Sequence, residues 1–240
     1  MGSEHFDSRA ATWDQDRSKI ERAKRIADAV AGQVELGRGL RVLEYGAGTG
    51  LVSQALMDRV GPLTLVDTSA GMRKVMAEKI QAGELPEGTR VWDLDLEKQG
   101  VSEEQGASEK QGVSNKEGVP DEQGASEGQG VSAGTTIPTE RFDLVVAALV
   151  LHHVRDLRPV LASLTELLDA GGALCIADLD QEDGSFHAHH DDFQGHDGFD
   201  RAELGAAMEV AGLTDVTFTD CGSIEKGGTA YPLFLAVGRR

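Results

Sequence analysis

Leu40-Arg-Val-Leu-Glu-Tyr-Gly-Ala-Gly-Thr-Gly-Leu-Val-Ser53 decides the fold, because it joins a short apolar strand to a turn of small residues and then to a helix. Arg41-Val42-Leu43 reads as a buried parallel strand. Gly46, Gly48 and Gly50 leave a loop almost without side chains, and Leu51, Gln54, Ala55 and Met57 begin a helical pattern. Glycines at alternate positions let a ligand approach the backbone closely, and the N–H groups at the helix start favour an anionic or polar group there.

The glycine spacing is Gly-x-Gly-x-Gly, preceded by the acid Glu44. A dinucleotide fingerprint is Gly-x-Gly-x-x-Gly, and position 51, where its last glycine would stand, is Leu. A second strand, Leu63-Thr-Leu-Val-Asp67, ends in a carboxylate roughly 20 residues downstream, the separation at which an acid reaches a ribose diol. The two pieces together point to a nucleoside-type ligand; the alternative is a flavodoxin-like packing turn with no ligand.

Four stretches carry a family resemblance. Val42-Leu-Glu-Tyr-Gly-Ala-Gly-Thr-Gly50, Val66-Asp-Thr-Ser-Ala-Gly-Met72, Phe142-Asp-Leu-Val-Val-Ala-Ala-Leu-Val-Leu-His-His-Val154 and Leu167-Leu-Asp-Ala-Gly-Gly-Ala-Leu-Cys-Ile-Ala177 resemble, in order, the successive motifs of class I S-adenosylmethionine-dependent methyltransferases. The likeness is to the small-molecule branch that includes the ubiquinone/menaquinone methyltransferases, and it covers most of residues 6–96 and 138–238. It implies an α/β fold with a Rossmann-like, doubly wound, seven-stranded sheet, mostly parallel with a C-terminal antiparallel hairpin. It implies S-adenosylmethionine as cofactor, and it assigns contacts with it to Trp13, Glu44, Gly46, Ala47, Gly48, Gly50, Asp67, Thr68, Met72, Asp95, Leu96 and Ala147. Asp95 is preferred to Asp93 because Asp95-Leu96-Glu97 better matches the family's step after the third strand.

The 240 residues are long enough to bury a real core and are expected to form one methyltransferase domain. No stretch of about 18 consecutive apolar residues exists, and Met1-Gly-Ser-Glu-His-Phe6 lacks an apolar signal segment, so a soluble, cytoplasmic protein is expected. Cys175 in a core strand and Cys221 in a late loop, neither in a Cys-x-x-Cys pair, suit a reducing compartment. The net charge of −18 repels a phosphate backbone and argues against nucleic-acid substrates. The basic cluster Arg17, Lys19, Arg22, Lys24 and Arg25 is interleaved with acids and reads as a solvated helix face.

Residues 1–36 precede the first strand and run into a helix with Ile20, Ala23, Ala27, Val30 and Val34 on one face. The resemblance makes this segment a lid, with Trp13 and Asp14 at the matching positions; Trp13 reads equally well as a core aromatic. A helix after Asp67 carries Met72, Val75, Met76 and Ile80 on one face, and Thr89–Leu94 is the third strand. Residues 97–132 are six hexapeptides with Gly fourth and Val or Ala fifth, too poor in bulky apolar residues to pack; 97–136 are expected to be a disordered insertion. Phe142–Ala148 is a central parallel strand, followed by a helix from Asp156 to Gly171-Gly172 that includes Leu167 and Leu168, and then by the strand Ala173–Ala177. Asp200-Arg-Ala-Glu203 is a capping box, and Val216–Thr219 and Tyr231–Val237 are two closing strands around an acidic, Gly-rich connection.

A methyl sulfonium is already activated, so such an enzyme needs chiefly in-line positioning and a site that tolerates positive charge. An acceptor that must lose a proton needs a base as well. His152 and His153, just past the fourth strand, are the candidates, against the alternative that the pair only packs or caps the turn. His187, His189, His190, Asp191, Asp192, His196 and Asp197 have metal-ligand chemistry, but flexible polar loops produce such clusters by chance, so no metal is expected. The expected partner is a small-molecule acceptor chosen by residues 6–18 and 180–199. An NAD-dependent oxidoreductase and a non-catalytic cofactor-binding module are the rival readings.

Overall fold

The computed structural model describes residues 6–99, 138–188 and 193–240. The described residues form strands β1 Val42–Tyr45, β2 Leu63–Val66, β3 Arg90–Trp92, β4 Phe142–Ala148, β5 Leu168–Leu179, β6 Thr214–Lys226 and β7 Thr229–Arg239. Their helices are α1 Arg17–Gln33, α2 Leu51–Leu56, α3 Ala70–Ala82, α4 Leu96–Gln99, α5 Leu157–Glu166 and α6 Arg201–Val210. The strands make one sheet in the order β3-β2-β1-β4-β5-β7-β6. β1 to β5 are parallel, and β7 runs antiparallel to both β5 and β6.

The chain enters the sheet at its middle, winds outward through β2 and β3, and returns to the other side of β1 as β4. This reversal leaves a crevice above the carboxyl ends of β1 and β4, where open α/β sheets take their ligands. Helices on both faces explain why the central strands are almost continuously apolar: all four residues of β1 and all of β2 are buried. Val42 faces one core with Ile26, Val30 and Leu56, while Leu43 and Tyr45 face the other with Val160, Leu164 and Met208.

Several boundaries differ from the sequence reading. Leu167 and Leu168 do not extend the helix to the glycine pair. Leu167 caps α5, its N–H donating to Ser163 O at 3.0 Å, and Leu168 already pairs with Phe142 as the first residue of β5. An apolar pair fits either period, and the neighbouring strand decides it. The third strand stops at Trp92, so Asp93 and Leu94 belong to the loop above the sheet.

The acidic connection expected between the last two strands is itself mostly strand. β6 and β7 form a long hairpin joined by Gly227-Gly228, whose positive φ angles (+62° and +84°) suit a two-residue turn with the twist of the flanking strands. Cys221 therefore lies in β6, at the irregularity between Asp220 and Gly222, and not in a loop. It and Cys175 are both buried and unpaired, and burial pushes both thiols up to about 12.

No helix among the described residues is long and apolar enough to cross a membrane. The hexapeptide insertion lies outside the described residues except for its front, 97–99, which completes α4. Asp95 caps that helix by accepting from the N–H groups of Glu97 (3.1 Å) and Lys98 (3.3 Å), and Glu97 Oε1 accepts from Arg155 N at 2.8 Å. Residues 189–192 also lie outside the described set, and with them His189, His190, Asp191 and Asp192.

Candidate functional site

A cavity of about 1270 Å³ opens over the carboxyl ends of β1, β2 and β4. Its floor is the glycine loop. Gly46 has φ +67°, and a Cβ there would stand 2.2 Å from Val150 Cγ2, so backbone and neighbour both demand glycine. Ala47 N donates to Val66 O at 2.8 Å, tying the loop to the tip of β2. Leu149, just past β4, also has a positive φ of +55°, a strained position on the cavity wall.

Glu44 lies under this loop, 2% exposed. Its Oε2 accepts from both the backbone N–H of Ser53 (2.9 Å) and the Ser53 hydroxyl, while burial pushes its carboxyl up to about 7. Asp67 stands at the tip of β2. Its Oδ2 accepts from Gly48 N at 2.7 Å and its Oδ1 from Ser69 N at 2.8 Å, and burial raises its carboxyl above the usual range against the pull of those donors. Each oxygen keeps a second lone pair, enough for the two hydroxyls of a ribose. Thr68, the buried Met72, Asp93 and Asp95 continue the wall; Asp93 is ion-paired with Arg73 (2.9 Å) and Asp95 with Lys98 (2.9 Å).

The N-terminal segment closes the cavity from above. Trp13 lines it, with the Lys19 ammonium 3.6 Å over its ring centroid. The adjacent Asp14 accepts from Thr49 Oγ1 (2.5 Å) and pairs with Lys79 Nζ (2.5 Å). Lys79 in turn donates to Thr49 O (3.0 Å) and Gln54 Oε1 (3.2 Å). A buried lysine on α3 thus bolts the segment to the glycine loop. Asp7 adds a second anchor at the start of α3, accepting from Ser69 Oγ (2.6 Å) and Gly71 N (2.7 Å).

The far half of the cavity is histidine-rich. His152 is buried, and its Nδ1 is 2.6 Å from Oδ1 of the fully buried Asp178 at the end of β5. Asp178 also accepts from the N–H groups of Leu151 (3.1 Å), His152 (3.3 Å) and Leu179 (2.8 Å), so it is fixed before it fixes the ring. A carboxylate at Nδ1 places the proton there and leaves Nε2 as the acceptor. His153, His187, Phe186, Ile224 and Lys226 complete this half, along with Lys19 and Arg22 from α1.

Most of the sequence-predicted site residues therefore meet: Trp13, Glu44, Gly46, Ala47, Gly48, Asp67, Thr68, Met72 and Asp95 line one cavity with His152 and His153. Gly50, Leu96 and Ala147 do not line it. Gly50 is the N-cap of α2, and a Cβ there would come within 3.1 Å of Leu65 Cδ1, so its part is close packing of helix on strand. Leu96 and Ala147 are buried in the core on the Tyr45 face of the sheet, and Ala148 lines the cavity instead, because neighbours in a strand point to opposite faces.

Sequence reasoning missed Asp178 and Lys79, and read Lys19 and Arg22 as solvated when both are half-buried cavity residues. Asp178 carried one signal, the first acid after the apolar run Ala173–Ala177. Lys79 carried another, a lysine on the buried face of a helix. Of the loop cluster, His187 and Asp197 approach each other together with Glu182, whereas His196 sits apart with its N–H on His152 O (2.7 Å).

A family model described as a methyltransferase domain matches residues 17–217. An uncharacterised methyltransferase of Schizosaccharomyces pombe is 27% identical over 152 residues, 63% of this chain and 43% of that protein. The chain spans less than half the length of the curated relatives it matches. Among solved structures, a chain of the Haloferax volcanii complex between the Trm112 methyltransferase activator and a methyltransferase superposes with a TM-score of 0.66 at 16% identity, covering 98% of this chain and 96% of that one. A SAM-dependent methyltransferase from Aquifex aeolicus superposes at 0.57 with 17% identity, covering 93% and 98%. With the family model running from the start of α1 into β6, over the whole of the glycine loop and the histidine wall, the chain belongs to the methyltransferase-domain family.

Proposed function

We propose that the protein moves the methyl group of S-adenosylmethionine to a small-molecule acceptor, in a branch similar to the ubiquinone/menaquinone methyltransferases. In this reading residues 1–240 act as a single catalytic domain, residues 1–36 as its lid and 97–136 as an insertion without catalytic part. The observation that carries the reading is the Asp67 carboxylate, held by the N–H groups of Gly48 and Ser69 at the edge of a loop of small residues and leaving lone pairs for a ribose diol. The residues present fit the cofactor: a Cβ at Gly48 would stand in the open space of the cradle, and the carboxylates of Asp67, Asp93 and Asp95 line it. A dinucleotide pyrophosphate would face those same acids.

When bound, S-adenosylmethionine supplies an activated methyl group on a sulfonium. Asp67 would hold the ribose, Met72 would pack against the base beside Asp95, and Glu44 would place a buried carboxyl beneath the cationic methionine end, whose charge favours the ionised form. The lid, pinned at Asp14, excludes water. The acceptor occupies the half walled by Phe186, His187 and Ile224, and its proton passes to Nε2 of His152 while Nδ1–H stays on Asp178. The net charge of −18 supports a small molecule over a nucleic acid.

Calorimetry of S-adenosylmethionine binding to the unmutated protein and to Asp67→Ala tests the cofactor assignment. Two hydroxyl bonds to a carboxylate, at about 1.5 kcal/mol each, predict affinity weaker by about 100-fold. Equal affinities, no binding to either, or preferential binding of NAD would overturn the reading. Incubation with methyl-labelled cofactor and a size-fractionated cell extract then tests the acceptor, with label expected in the small-molecule fraction.

A further inference from the structure

We infer that His152, His153 and His187 form a binding site for a borderline-soft divalent cation of the Zn²⁺ class. One ligand nitrogen from each of the three imidazoles lies within 4.8 Å of the other two. The ring centroids are 4.1 Å (His152–His153), 5.3 Å (His152–His187) and 5.5 Å (His153–His187) apart, and all three residues line the cavity. Tetrahedral ligation at zinc–nitrogen distances of 2.0–2.1 Å needs nitrogens about 3.3 Å apart, so the three rings draw together when the ion binds.

A second observation points the same way. Metal-bound histidines characteristically give their other ring nitrogen to a carboxylate, and His152 does so with Asp178 at 2.6 Å. That arrangement fixes the tautomer and leaves Nε2 as the ring nitrogen that can take an ion. His187 is held in place by stacking on Phe193, centroids 3.7 Å apart and planes 9° off parallel. Its segment is tied down by the bond between Ser185 Oγ and Tyr231 Oη (2.8 Å). Imidazole donors select Zn²⁺, Co²⁺, Ni²⁺ and Cu²⁺ over Mg²⁺ and Ca²⁺. Three protein ligands leave a fourth position open, facing the cavity.

The site stands independently of the proposed reaction, but its consequence rests on that reading: an ion on His152 Nε2 occupies the lone pair that would take the acceptor's proton. Cation and proton acceptance exclude each other there, and the bound ion switches off transfer to acceptors that need a base.

The test is a Co²⁺ titration of the full chain after chelator treatment, following the visible absorption of four-coordinate Co²⁺ and its bleaching by Zn²⁺. One equivalent is expected to bind. His153→Ala and His153→Asn, with folding checked by circular dichroism, should each weaken binding by about tenfold or more. Asp197→Ala should leave binding unchanged; it removes a ligand only from the neighbouring Glu182, His187, Asp197 group. Absence of the absorption, or binding indifferent to both His153 variants, or binding lost in Asp197→Ala, overturns the inference. Because S-adenosylmethionine calorimetry is run metal-free, failure of the metal site and failure of the methyltransferase reading give separate results.

Discussion

Replacing Glu44 by glutamine removes an ionisable group from beneath the cleft while keeping its hydrogen bonds. Both bonds from Ser53 fall on the same oxygen, Oε2, which the glutamine carbonyl reproduces. In the folded protein burial lifts the carboxyl from 4.5 to about 7. A folded-state pKa above the unfolded one means that the favourable contribution is complete below the unfolded value and is lost as pH rises through the folded value. The shift corresponds to about 3 kcal/mol in all, of which about 2 to 3 kcal/mol falls between pH 5 and pH 8. The assay is urea unfolding of both proteins at those two pH values, without cofactor. The unmutated chain should lose about 2 to 3 kcal/mol more than Glu44→Gln on going from pH 5 to pH 8, so the variant gains relative stability at pH 8. The difference between the two proteins cancels the contributions of Asp67 and the other acids. Parallel stability curves would refute the reasoning, because they would mean that Glu44 ionises in the fold as readily as in the unfolded chain.

Other substitutions probe the remaining parts of the site. Lys79→Met should cost about 2 to 3 kcal/mol by thermal or chemical unfolding, since it leaves Asp14 and Thr49 O without their buried partner, and should raise hydrogen exchange in residues 10–16. Unchanged exchange there would show that the latch does not hold the lid. His152→Gln should retain cofactor affinity within about twofold while methyl transfer to a base-requiring acceptor falls about 100-fold or more, a split between binding and turnover that a merely structural histidine would not give. Gly46→Ala should abolish detectable cofactor binding, because the methyl meets Val150 at 2.2 Å and the backbone is left-handed there; calorimetry with full affinity would contradict this. Deleting the insertion while sparing α4, by joining residue 99 to residue 137 through a short glycine linker, should leave unfolding and cofactor affinity nearly unchanged. A cut that begins at 98 should do worse, because it removes half of the cap on Asp95.

The glycine loop and Asp67 were legible in the sequence because their geometry is local. Gly46 to Gly50 sit in one turn, and β2 returns its acid to that turn after a single helix. The doubly wound sheet came from the family resemblance, and the structure supplies the strand order. Boundaries were less legible where a pattern satisfied two periods, as at Leu167-Leu168, or where a strand had one exposed face, as in β6. Ala147 shows the same limit at the site: eight apolar residues in a row, Leu144 to Leu151, do not say which of two neighbours looks into the cleft.

What the amino-acid order determined by itself, then, was the first strand–turn–helix–strand unit and the glycine-loop half of the cleft, because those rest on contacts between residues near in the chain. What only the tertiary structure decided was the other half. The bond from His152 to Asp178 spans 26 residues and two strands, Lys79 reaches Asp14 across the glycine loop, and His187 joins the histidine wall from a segment beyond β5. No periodicity encodes such pairings. They exist because parallel strands all end at one edge of the sheet, so groups remote in sequence are delivered to the same crevice by packing.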